Sequence, residues 1–111
     1  MSLDISLYAS DTDGNEFAAW ETNITHNLTE MADKAGLYKV MWRPEEIEVK
    51  NAKEAVPYLI TGIKYMLDNK EALEKLNPEN GWGSYEGLLN AATEYYQECK
   101  KRPSARIEVS R

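Results

Sequence analysis

Apolar and polar positions alternate from the start of the chain: Leu3, Ile5 and Leu7 fall on one side of an extended segment, Asp4, Ser6 and Tyr8 on the other. A period of two predicts a half-buried strand over residues 3–8. The run Asp11-Thr-Asp-Gly-Asn15 is turn chemistry. Residues 16–22, E-F-A-A-W-E-T, predict a second strand that returns antiparallel and closes a hairpin. Near the other end, A-R-I-E-V-S-R after Pro103 puts Ile107 and Val109 on one side and predicts a last strand.

Between the hairpin and that strand the period changes to that of a helix. Leu28, Met31, Ala32 and Ala35 make one apolar face, with Thr25 as the expected N-cap and Gly36 as the stop. The apolar segment L-Y-K-V-M-W, residues 37–42, ends at Arg43-Pro44 and predicts an irregular or short helical piece tucked under the sheet. Asn51 then caps the clearest core helix, in which Ala52, Ala55, Val56, Leu59, Ile60, Ile63, Met66 and Leu67 recur at three and four. Pro57 sits in its first turns, where a missing amide costs least. A short helix over 70–76 precedes the loop N-P-E-N-G-W-G-S. Ser84 caps a final helix whose buried face is Tyr85, Leu88, Leu89, Ala92, Tyr95, Tyr96 and Cys99. Lys100, Lys101 and Arg102 complement its C-terminal dipole.

This order predicts a single α+β domain over residues 1–111: a small antiparallel sheet with three to four helices packed on one face. The last strand finds its simplest partner in strand one, which gives the strand order 2-1-3. Two edges stay open in that arrangement, and one of them is a candidate for homo-oligomer formation.

Charge changes the picture by exclusion. The formal charge is −6, so a phosphate polymer is repelled and no nucleic-acid partner is expected. No apolar run is long enough for a membrane span and no basic leader precedes the first strand, so a cytoplasmic protein without membrane contact is expected. Asn23-Ile-Thr25 and Asn27-Leu-Thr29 match the glycosylation sequon, which has no consequence in that compartment. Cys99 is the only cysteine and His26 the only histidine. No disulfide, no metal site and no cofactor motif follows from them.

Three polar-aromatic islands interrupt the plain core pattern: N-I-T-H-N-L at 23–28, W-R-P-E-E at 42–46 and N-G-W-G-S-Y at 80–85. Each lies at a helix boundary, where unpaired N–H groups suit a polar or anionic ligand. Brought together, they would supply hydrogen-bonding groups from Asn23, Thr25, His26 and Asn27, charge from Arg43 with Glu45 beside it, and ring faces from Trp42, Trp82 and Tyr85. That inventory fits a nucleotide- or sugar-like ligand. Structural readings stand beside it: Thr25 and Ser84 as caps, the tryptophans as core anchors, Arg43 as an ion pair with Glu45 or Glu46. His26 exceeds what a helix start needs. An enzyme would have to use His26 as general base oriented by Glu45 or Glu46, a minimal dyad without any of the familiar catalytic motifs around it.

At the same islands the chain resembles a group of small uncharacterised proteins of bacteria and bacteriophages, through N-I-T-H-N-L, W-R-P-E-E, N-P-E-N-G-W-G-S-Y-E-G-L and the closing I-E-V-S-R. The resemblance spans nearly the whole chain and implies a cytoplasmic accessory protein, with no catalytic assignment to carry over. By analogy with such proteins, two roles follow: sequestering a small polar or anionic ligand, as in counter-defence, or masking the surface of a host protein.

Overall fold

The computed structural model describes residues 1–111. The strands are β1, Ser2–Ser10; β2, Glu16–Thr25; and β3, Arg106–Ser110. The helices are α1, Thr29–Ala35; α2, Tyr38–Trp42; α3, Ala52–Asp68; α4, Lys70–Glu74; and α5, Tyr85–Lys101. Single 3-10 turns at His26–Leu28 and Pro44–Ile47 join β2 to α1 and follow α2. The sheet is antiparallel with order β2-β1-β3, and an α+β domain is what results. Five helices form because residues 38–42 close into a helical turn of their own.

β1 is central, and its alternation decides the layering. Leu3, Ile5 and Leu7 are fully buried. Their partners Ile24, Thr22 and Trp20 on β2, and Val109 and Ile107 opposite Ile5 and Leu7 on β3, share that face. A bulge between Leu7 and Tyr8 leaves Ala19 without a partner. Trp20 stacks on Tyr95 of α5, ring centroids 5.5 Å apart. The buried apolar side chains form one cluster of 24 residues between this face and the helices.

α3 begins in a capping box: the Glu54 N–H donates to Asn51 Oδ1 while the Asn51 N–H donates to Glu54 Oε1. Its core stripe is Ala52, Ala55, Leu59, Gly62 and Met66. Gly62 is needed for a close approach, because a Cβ there would lie 2.2 Å from Leu37 Cδ2. Ile60 and Leu67, expected in the core, are instead 47% and 61% exposed. Each follows a buried residue by one position, a step of about 100° around the helix, which carries it off the contact face. No helix is long and apolar enough to cross a membrane.

Candidate functional site

β2 runs further than its sequence pattern predicts, and this extension builds the site. Thr25 pairs with Ser2, and the His26 N–H donates to the Met1 carbonyl. Thr25 is therefore the last residue of a strand. Its hydroxyl accepts from the Asn27 N–H at 3.2 Å and caps the 3-10 turn rather than α1 itself. The Thr29 hydroxyl donates to the His26 carbonyl and closes the same turn from the other side.

The turn directs the His26 ring at α2. Trp42, 1% exposed, carries an indole N–H that burial obliges to find an acceptor. It donates to His26 Nδ1 at 2.9 Å. That bond assigns the neutral ring its Nε2–H tautomer, and no protein group accepts from Nε2. Four residues before Trp42, Tyr38 stacks on the indole at 5.8 Å.

The third island docks on the first. Asn27 Nδ2 donates to the Trp82 carbonyl at 3.3 Å. Gly83, at φ +105°, lies so close that a Cβ would stand 2.8 Å from Thr25 Cγ2 and 3.0 Å from Leu28 Cγ. Asn80 Oδ1 accepts from the Trp82 N–H, and the indole projects outward, 71% exposed. The result is an open depression of about 590 Å³ in which Asn23, Thr25, His26, Asn27 and Trp82 line the wall with Met1 and Ser2. The first island is thus joined around His26 by the Trp82–Gly83 turn of the third and, of the second, by Trp42 alone.

Not every residue expected there arrives. Trp42 is the buried support of His26 and offers no ring face to a ligand. Tyr85 is likewise core: it is buried and its hydroxyl donates to the Met66 carbonyl at 2.6 Å. Arg43 donates to the Tyr38 hydroxyl and faces Glu46 at 4.0 Å, away from the depression. Glu45 is bound by Arg111, whose Nη1 also donates to the Trp42 carbonyl at 2.8 Å. Glu45's own backbone N–H and then Arg111 hold its carboxyl below the usual carboxylate range. Asn23 reaches the wall with its amide already donating to Ser2 Oγ and Asp4 Oδ1. Arg111 escaped the sequence reading altogether.

These contacts describe the chemical surroundings of His26 and Cys99. Trp42 takes His26 Nδ1, Arg111 takes Glu45, and Lys39 and Arg43 flank Glu46, so no hydrogen bond joins His26 to either carboxylate in this structure. Cys99 is buried, and burial pushes its thiol up to about 12, which favours the less reactive thiol form. No side-chain cation lines the depression. A larger groove, about 780 Å³, lies along the outer edge of β3 and includes only Glu45 among the expected site residues.

Compared with known proteins, the chain matches no family model, no curated protein and no solved structure. The architecture defines it as a small α+β domain in which the start of its first helical turn, a buried tryptophan and a glycine-hinged loop converge on one histidine.

Proposed function

We propose that the protein binds a small polar ligand with a ring face, of sugar or nucleoside character, in the depression beside His26, and holds it without turnover. The observation that carries this reading is the pair of cross-links that converge there: Trp42 to His26 Nδ1, and Asn27 to the Trp82 carbonyl. Together they hold a free Nε2–H donor near an outward indole, the combination of a directional polar group and a stacking face that ring ligands use. In a bacterial or phage accessory protein such binding serves sequestration.

A thermal-shift panel of free sugars, nucleosides and their phosphorylated forms tests the proposal on wild type, Trp82→Ala and His26→Gln. A ligand at a hundred times its dissociation constant adds about 2.7 kcal/mol of apparent stability. Trp82 is largely exposed, so Trp82→Ala is expected to keep its fold and lose the shift. A panel without any shift, or one that Trp82→Ala leaves unchanged, removes the reading.

A further inference from the structure

Residues 43–50 form an arch over the outer edge of β3. At one end Arg111 Nη1 fastens the Trp42 carbonyl and the Glu45 carboxylate. At the other, the Ile107 N–H donates to the Lys50 carbonyl and the Ala52 N–H donates to the Ala105 carbonyl. Between these anchors the chain leaves the edge, because the 3-10 turn at Pro44–Ile47 ends on Glu48 in the left-handed region at φ 57°. Glu48 is the only non-glycine residue with positive φ, a conformation that costs about 1 kcal/mol or more.

The consequence falls on Val109. In an antiparallel ladder, alternate residues turn both backbone groups toward the same neighbour. The Ile107 N–H points away from β1 to Lys50, so the Val109 N–H and C=O and the Ile107 C=O point outward too. No loop, turn or cap hydrogen bond claims them. They open into the 780 Å³ groove beside Val49 and the side chains of Ile107 and Val109. The lining carries four carboxylates against two cations; Arg111 holds Glu45, the cap of α3 holds Glu54, and Arg106, gripped through two hydrogen bonds by Glu16, also reaches Glu108 at 3.7 Å, which leaves Glu48 as the carboxylate without an ion-pair partner.

We infer that this groove receives a short extended peptide, basic at alternate positions, which adds to β3 as a fourth strand. Strand addition draws affinity from main-chain bonds at an open edge and selectivity from alternate side chains. Here the edge offers Val109 and the Ile107 carbonyl, the apolar floor takes one side chain, and the carboxylates, Glu48 foremost and Glu108 shared with Arg106, select lysine or arginine on either side. The site is separate from the depression at His26, and neither reading depends on the other.

The test titrates acetyl-K-V-K-V-K amide, with the acidic E-V-E-V-E peptide as counterpart, into wild type, Val109→Ala and Val109→Pro. Proline removes the outward N–H and leaves the ladder to β1 intact, since that N–H does not serve it. The basic peptide is expected to bind wild type and Val109→Ala, and to bind Val109→Pro about tenfold more weakly or worse, the loss of one main-chain bond. Binding should also slow hydrogen exchange at the Val109 amide. Should Val109→Pro fail to fold, the exposed pair Glu48→Lys with Glu108→Lys reports instead, by exchanging the preference between the two peptides. Equal binding of both peptides, no binding at about 1 mM, or a Val109→Pro protein that binds as wild type overturns the inference. So does wild-type self-association that Val109→Pro abolishes, which would give the edge to a second copy of the chain.

Discussion

The Trp42 indole N–H and His26 Nδ1, 2.9 Å apart, tie the end of β2 to α2 across a part-buried boundary. Each residue settles the other: the indole gains an acceptor it has no other way to find, and the imidazole is fixed in one tautomer and one orientation. His26→Ala is expected to strand the indole N–H and to lower stability by about 1–3 kcal/mol. Trp42→Phe with His26→Ala should cost less than the sum of the two single changes, because the coupling disappears with both partners. Urea unfolding of the four proteins measures that coupling, and additive costs would remove the bond from the account.

Gly83 does for the loop what Trp42 does for the histidine. Its φ of +105° and the 2.8 Å approach to Thr25 Cγ2 leave no room for a side chain. Gly83→Ala is expected to cost about 1–3 kcal/mol in backbone strain and displaced contacts, and to detach Trp82 from the depression. Quenching of tryptophan fluorescence by acrylamide, compared with Gly81→Ala, distinguishes loop detachment from general loosening. Gly81 is also at positive φ, at +77°, but meets nothing within 4 Å, so its substitution should leave the Trp82 environment close to that of wild type.

How far the site could be read from the sequence follows from range. The sheet order was legible because Leu3, Ile5 and Leu7 alternate, and because Ile107 and Val109 must join the same apolar face. The three islands were legible as departures from a plain core pattern, while which of their residues reach His26 depends on contacts between elements: Trp42 and the Trp82–Gly83 turn do, Arg43, Glu45 and Tyr85 do not. The grip of Arg111 on Trp42, 69 positions away, leaves no local periodicity to detect. The two aromatic misplacements have one cause: Trp42 and Tyr85 look alike as polar-tipped rings at helix boundaries, and only packing shows that both tips are spent inward. On α3 the apolar positions fill two adjacent stripes, so the periodicity alone did not separate Leu59 from Ile60. Gly62, the residue that marks the true contact face, carries no hydrophobic signal.

Gly62 supports a third prediction. Glycine in a helix interior is ordinarily worse than alanine by about 1 kcal/mol, so propensity alone predicts that Gly62→Ala stabilises. The approach of Leu37, fully buried and only 2.2 Å from the added Cβ, reverses the sign. Overpacking of this kind costs about 1–3 kcal/mol, and a lowered urea midpoint is expected. A raised midpoint would mean that the corner between α1 and α2 gives way easily.

Tyr95 holds the one buried side-chain polar atom without a hydrogen-bond partner, and burial pushes its hydroxyl well above the ordinary value of 10. Its ring supplies packing against Trp20, while its hydroxyl bears a desolvation cost with no bond in return. Tyr95→Phe is therefore expected to be neutral or stabilising by up to about 1 kcal/mol, whereas Tyr95→Ala should cost about 3–5 kcal/mol through the cavity it opens. A marked loss in Tyr95→Phe would reveal an acceptor, such as a buried water, for that hydroxyl.

The cap of α3 contributes to stability in acid. The backbone N–H groups of Lys50 and Asn51, in that order, hold the Glu54 carboxyl below its ordinary value of 4.5. A carboxylate with a depressed folded value adds stability above its unfolded value and loses it as pH falls through the folded one. Glu16, lowered through Arg106, works in the same direction on the far side of the sheet. Stability is thus expected to decline from pH 5 to about pH 3. Glu54→Gln keeps an acceptor for the capping box but does not titrate, so its curve should fall less steeply over that window. Urea midpoints across the range decide it, and parallel curves for wild type and Glu54→Gln would place the acid sensitivity at other carboxylates.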